Sequence, residues 1–211
     1  MLFRSVTQGL VARFHAAQVG ALSTDDAKKV TQWLDLVGGH HLTPVAVEQA
    51  PSWVAKAIVG RPGVRLTGAG GLQTGPFDHG AALGVWSVVC TEAEGGPGAW
   101  LQQGAWGFVG AAGQLGFPDS KGPSLAVAQS TCYVLGAQLS AGQVQLTLVD
   151  QSPQVKTGSA SVQAAKAALV LGGKGDPAMV GEVLLYDHAL SDTERDSVID
   201  YLRKAWGLVP P

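Results

Sequence analysis

Hydrophobic residues in this chain come in short bursts, each closed by glycine, proline, aspartate or serine. The bursts include "LVARFHA" (10–16), "WVAKAIV" (53–59), "GVWSVVC" (84–90) and "AWGFVG" (105–110). "LAVAQSTCYVLGAQL" (125–139), "QVQLTLVD" (143–150), "AALVLGG" (167–173) and "GEVLLYD" (181–187) follow. Within "QVQLTLV", Val144, Leu146 and Leu148 alternate with Gln145 and Thr147, the period-2 signature of a half-buried strand. Turn-forming clusters such as "RPG", "EGGPG", "FPDSKGP" and "GGKGDP" separate the bursts. Many short strands at fairly even spacing predict an all-β sandwich or barrel.

Two segments depart from this rhythm. In "STDDAKKVTQWLDLVGG" (23–39), Val30, Trp33, Leu34 and Val37 have helical spacing, and Ser23 with Asp26 could cap the start, so periodicity alone predicts a helix. The second is "LLYDHALSDTERDSVIDYLRKAWGL" (184–208), where a buried strand turns out through "DHAL" into a helix. Ser191 and Glu194 have the S-x-x-E spacing of a capping box, in which the hydroxyl and the carboxylate each satisfy a free backbone N–H. Val198, Ile199, Leu202 and Trp206 make one apolar stripe, and Asp200 can pair with Arg203 and Lys204. Acids at the start and bases at the end match the helix dipole, and Gly207 with Pro210 supplies the stop. Each charge in this stretch therefore has a structural job.

The closing stretch, with these residues, resembles the C-terminal signature of laminin-G-like, concanavalin A-like jelly-roll domains. That family ends in G-x-I-x-E/L-x-x-Y-D/N-x-x-L-S-x-x-E-R, then an apolar helix closing in Y-L-x-x-K-W-G. Gly181, Tyr186, Asp187, Leu190, Ser191, Glu194, Arg195, Tyr201, Leu202, Trp206 and Gly207 match it, with Ala205 in place of the usual Lys. Upstream, "VTQWLDLVGG" (30–39) is similar to the family's V-x-x-W-x-D-x-S-G through Trp33 and Asp35, with Val37 where Ser is usual. "APSWVAKAIVGRPGVRLTGAGGL" (50–72) is similar to its segment with a Pro-anchored strand and a Gly-rich approach to a Leu. The resemblance implies an all-β, two-sheet antiparallel jelly-roll sandwich, concanavalin A-like, with a short C-terminal α-helix packed on it. It covers the chain almost end to end, so residues 1–211 are expected as a single domain. It also implies that residues 30–36 are extended, against their helical spacing, and the extended form is the one expected here.

Composition narrows the function classes. The 211 residues are 46% hydrophobic and 14% charged, against roughly 25% charged for an average soluble domain, so a sizeable core is expected and disorder is not. Low charge also suits a surface partly covered by partners. Net charge is −2 with no basic stripe, which argues against nucleic acid. No apolar run approaches the ~20 residues of a membrane helix. Arg4, Thr7, Gln8 and Arg13 interrupt the N-terminal region where a signal peptide would need an apolar stretch, so no Sec-type signal is expected. Cys90 and Cys132 lie in strand-like runs without zinc spacing and are expected as buried thiols, a disulfide being open if their strands are neighbours.

Catalytic constellations are sparse. Retaining glycosidases of related fold carry acids alternating along one strand, with the two carboxyl groups ~5–5.5 Å apart, and no such set is present. Glu92 and Glu94 in "TEAEGG" come nearest, and beside a glycine turn they are expected as solvated loop acids. His40 and His41 are adjacent and would point to opposite faces of a strand. "GGKGD" (172–176) lacks the full phosphate-loop spacing. Asp78, Asp119 and Asp176 lie in loops that could hold calcium, but no dense oxygen cluster accompanies them, and no cofactor is expected.

Binding remains. Trp33 and Trp206 are expected in the core, as are Trp53 and Trp86 in their strands. Trp100 and Trp106, flanked by glycine and close to Gln102 and Gln103, combine aromatic faces with amides, a set suited to sugar stacking or a protein interface. Core packing is the first expectation for both, and glycan or partner contact through Trp100, Gln102 and Trp106 the functional one. The leading expectation is a non-catalytic module on a bacteriophage virion, as capsid decoration, fibre or tail component. It would contact other virion proteins or surface glycans, as a homo-oligomer or part of a larger assembly. A bacterial extracellular carbohydrate-binding module comes second, and a glycoside hydrolase with a non-standard acid pair third.

Overall fold

A computed structural model of the chain describes residues 7–67, 70–77, 83–92, 99–103, 106–111, 114–116, 124–141, 143–150, 153–159, 167–174 and 177–209, with the side chains of 99, 100, 103, 106–111, 114–116, 153, 156, 159 and 174 outside that description. The first strands are β1 (Leu10–His15), β2 (Leu22–Thr24), β3 (Val30–Trp33), β4 (Thr43–Pro44), β5 (Ser52–Ile58), β6 (Arg61–Leu66) and β7 (Gly71–Gln73). Next come β8 (Leu83–Thr91), β9 (Ala99–Gln103), β10 (Trp106–Ala111), β11 (Gln114–Gly116) and β12 (Ser124–Ala126). β13 (Cys132–Ser140), β14 (Gln143–Val149), β15 (Pro153–Ser159), β16 (Leu169–Lys174) and β17 (Ala178–Tyr186) precede helix α1 (Asp192–Trp206).

Two antiparallel sheets form a jelly-roll sandwich, the arrangement the family resemblance implied, where the short bursts alone left sandwich and barrel open. Among the described residues the first sheet has eight strands in the order β15-β14-β13-β8-β17-β6-β5, with β1 also on β17. The second has seven, in the order β12-β11-β10-β9-β16-β7-β4. Leu101 and Leu171 of the second sheet meet Val89, Leu135, Val180 and Val183 of the first. Helix α1 lies on the opposite face of the first sheet, over β8 and β13. Strands β8 and β17 are thus covered on both faces, and this is why they read as unbroken apolar runs.

Strand β17 carries a bulge at Gly181, between Val180, which faces Val89, and Glu182, which faces Val88. Before the bulge β17 pairs with β6; after it, with β1. The extra residue keeps Val180 and Val183 both inside the sandwich and turns Glu182 toward the helix. A Cβ at Gly181 would lie 2.6 Å from the Trp206 ring, so glycine is what lets the helix dock this closely.

The helical spacing of residues 23–39 does not make a helix, and residues 30–33 are extended as the family resemblance implied. Residues 22–33 make a hairpin in which β2 pairs with β3. Asp25 closes its turn: the side chain accepts from Lys29 N at 2.8 Å and the carbonyl from Lys28 N at 3.0 Å. A register shift between Ser23 and Thr24 puts a bulge opposite them in β3, which brings Val30 and Trp33 to one face. Bulged strand spacing of three thus imitated a helical period. Asp35 then folds the following loop, accepting from the backbone N–H groups of Arg13, Val37, Gly38 and His40 at 2.8–3.0 Å.

The cysteines are also corrected. β8 and β13 are neighbours with Cys90 opposite Cys132, and the two form a disulfide. The sequence could not pair them because adjacency of the strands is a tertiary fact.

Candidate functional site

The densest set of ionisable groups lies under helix α1. Glu182 is fully buried and its carboxylate accepts from Arg13 Nε at 2.9 Å, Tyr201 Oη at 2.9 Å and Trp206 Nε1 at 2.8 Å. His15 Nε2 stands 3.6 Å from the same carboxylate, and its ring centroid lies 5.2 Å from that of Trp206. Burial pushes the His15 value down, Glu182 opposing and Arg13 and Arg61 assisting. Burial raises the phenols of Tyr186 and Tyr201, with Glu182 adding to both. Glu182 and Trp206 are closed to solvent, Arg13, His15 and Tyr201 partly so, and the Glu182 oxygens are committed to Arg13, Tyr201 and Trp206. The node fastens β1, β17 and α1 together.

Most of the remaining charges of the closing stretch have local partners. Ser191 and Glu194 form the expected capping box, Gly207 ends the helix in the left-handed conformation, and Lys204 pairs with Asp200 at 2.7 Å. Arg203 differs from expectation: its Nε is buried without a hydrogen-bond partner among the described residues, and no Asp200 contact forms. Val198, Ile199, Leu202 and Trp206 are the buried stripe.

An open cleft of about 350 Å³ lies where β1 leaves the first sheet. Its walls are the loop 16–20 after β1, Thr24 and Lys28 of the hairpin, Pro62 of β6 and the half-buried Trp53 of β5. Trp53 was expected in the core; it packs against the core but is only half-buried and lines the cleft, on β5, the last strand of the first sheet, whose outer edge the hairpin meets at Lys29 and Ser52. Its backbone is fixed, the Trp53 N–H donating to Lys28 O at 2.8 Å. Lys28 holds the left-handed conformation (φ 64°), uncommon for a side chain of its size, and is exposed beside the indole. Gln18 and Thr24 are exposed too. An aromatic residue in a concave cleft also lined by residues that carry amide, hydroxyl and ammonium groups is the make-up of a small-ligand site.

The residues singled out from sequence are scattered. Trp100, Gln102 and Trp106 lie on the paired strands β9 and β10, where Trp106 is opposite Gln103 and Gln102 opposite Gly107, so Gln102 and Trp106 are not cross-strand partners. The side chains of Trp100 and Trp106 lie outside the described residues. Glu92, expected as a solvated loop acid, is gripped by Arg65 through both oxygens at 2.7 and 2.6 Å; Glu94 lies outside the described residues. His40 stacks on Phe77 at 4.3 Å, and His41 accepts from Asp35 N. Asp78, Asp119 and Asp176 lie outside the described residues, among which no His, Cys, Asp or Glu cluster is arranged to hold a metal. No helix among the described residues is long and apolar enough to cross a membrane.

No family model and no curated protein matches the chain. Solved structures do. A sialidase from Trypanosoma rangeli in complex with sialic acid is similar at a TM-score of 0.63 and 16% identity, over 94% of this chain and 33% of the sialidase. The binding domain of botulinum neurotoxin serotype D is similar at 0.62 and 8% identity, over 96% of this chain and 53% of that one. A GH54 α-L-arabinofuranosidase is similar at 0.62 and 15% identity, over 84% of this chain and 51% of that enzyme. The chain spans between a third and about half of each. The likeness is one of fold: a β-sandwich.

Proposed function

We propose that the chain is a non-catalytic binding module that holds a glycan in the Trp53 cleft. The observation that carries this reading is the half-buried indole facing an open cleft beside Gln18, Thr24 and Lys28. The C–H faces of a sugar ring pack on an indole, and its hydroxyls need donors and acceptors at the rim. The similar structures agree in kind, since they include a toxin's binding domain and a sialidase bound to sialic acid. Membership of the laminin-G-like family belongs to this proposal and rests on the closing motif from Gly181 to Gly207.

The absence of catalysis is part of the same proposal. Its support is that Glu92, the nearest approach to a catalytic acid, has both oxygens engaged by Arg65. The Cys90–Cys132 disulfide favours an oxidising, extracellular setting. A virion surface, where the partners would be other virion proteins, rests on the low charge alone.

Glycan-array binding by the purified protein tests the reading. Trp53→Ala is expected to lower affinity about 30-fold, the ~2 kcal/mol of an aromatic hot spot, with the far-UV spectrum unchanged. Loss confined to Trp100→Ala and Trp106→Ala would move the site to the second sheet. Hydrolysis of a β-glucan, abolished by Glu92→Gln, would overturn the non-catalytic reading.

A further inference from the structure

One side-chain hydrogen bond ties the cleft's loop to His15 of the node. Ala17 N donates to His15 Nδ1 at 3.2 Å. With Nδ1 accepting, the proton of the neutral ring sits on Nε2, which faces Glu182. Nδ1 thus holds the ring's hydrogen bond to the loop, while Nε2 faces the Glu182 carboxylate at 3.6 Å, an electrostatic rather than a hydrogen-bond distance. On the far side of Ala17 run Gln18, Val19 and Gly20, which line the cleft. Few other ties hold this loop: Ala16 N to Gly181 O at 2.8 Å at its root, and the turn bonds Gln18 N to His15 O and Ala21 N to Gln18 O at 3.3 and 3.1 Å.

We propose that the cleft is gated by protonation of His15, which releases the loop 16–20 in acid and with it one wall of the binding site. A second proton on the imidazole must go to Nδ1, where the lone pair is. Nδ1–H then meets Ala17 N–H, two donors head to head, and the hydrogen bond becomes a repulsion. The ring cannot turn away freely, because Trp206 packs beside it. The loop, exposed from Gln18 to Gly20, is the part that can yield.

The groups around His15 set where this happens. From β17, Glu182 attracts the proton, but Arg13, Tyr201 and Trp206 already engage its oxygens. From β1 and β6, Arg13 and Arg61 repel it. From α1, Tyr201 faces the node as a neutral phenol whose own value is raised. Burial adds the largest opposition, so His15 protonates below the ordinary histidine value of 6.5. The loop is in place at neutral pH and is let go in mild acid.

The gate deepens the reading of the Trp53 cleft as a binding site, and the protein alone tests it without any glycan. In a nuclear magnetic resonance titration from about pH 7.5 to 5, the backbone amides of Ala17, Gln18 and Gly20 are expected to shift with the His15 ring, sharing one midpoint below 6.5. His15→Gln, whose amide can accept from Ala17 and donate toward Glu182, is expected to abolish that shift. Should His15→Gln fail to fold, the wild-type comparison of ring and loop decides. A His15 ring that titrates while the loop amides stay still overturns the gate, as does an unchanged loop titration in His15→Gln. Glycan-array binding at both ends of the range is expected to be lost in acid, and equal binding at both also overturns the gate. A titrating loop in a protein that binds no glycan at either pH would instead sink the cleft reading and leave the gate standing.

Discussion

Trp206, on the helix over central strand β17, and Trp53, on edge strand β5, sit in opposite surroundings. Trp206 is fully buried, its ring against Gly181 and its indole N–H on Glu182. Trp53 is fixed by its backbone and half-buried, with exposed polar side chains beside it. Around Trp206, Glu182, Arg13, His15 and Tyr201 are gathered and engaged with one another; beside Trp53 lies an open cleft. The gathered charges mark where the helix is fastened, and the cleft is where binding is proposed.

The strongest way to break this comparison is through stability. Glu182→Gln, which leaves Arg13 buried beside a neutral partner, is expected to cost ~3–5 kcal/mol in urea unfolding. Trp206→Ala should cost a similar ~3–5 kcal/mol, whereas Trp53→Ala should cost under ~1.5 kcal/mol and act on binding. Equal losses at the two tryptophans would erase the distinction. Reduction of Cys90–Cys132, which closes a loop of 42 residues, is expected to cost ~2–4 kcal/mol, read as a lower unfolding midpoint in reductant. Ser191→Ala should cost ~1 kcal/mol by loss of the cap hydroxyl and leave glycan binding intact. A fully folded Ser191→Ala protein that no longer binds would place function back in the helix.

Acid sharpens the contrast from another side. The His15 value is lower folded than unfolded, so the unfolded chain takes the proton first. This contribution to stability is complete above about pH 6.5 and is lost as pH falls through the lower, folded value. At the alkaline end, the raised values of Tyr186 and Tyr201 mean that stability falls as pH rises past the ordinary tyrosine value near 10. His15→Gln should remove the acid component and spare the alkaline one, measured as unfolding midpoint against pH.

Much of the closing stretch was legible locally. The capping box, the apolar stripe and the stop at Gly207 each need only neighbours within a turn or two, and each is present. Glu182 was overlooked, although a lone carboxylate inside the apolar run "GEVLLY" is itself a signal, because a buried charge must find partners. Its partners, Arg13 and His15, lie almost the whole chain away. Trp53 was misjudged because tryptophan in an apolar burst reads as core whether its strand is central or at an edge.

Alternation, turn clusters and the capping motif determined from sequence alone that this is an all-β chain closed by a helix, since period and caps are properties of adjacent residues; the choice of sandwich over barrel came from the family resemblance of the closing motif. Bulges at β3 and Gly181, the pairing of Cys90 with Cys132, the burial of Glu182 and the openness beside Trp53 were decided by the tertiary structure. Each depends on which strands lie side by side, and strand order is set by contacts between residues far apart in the chain.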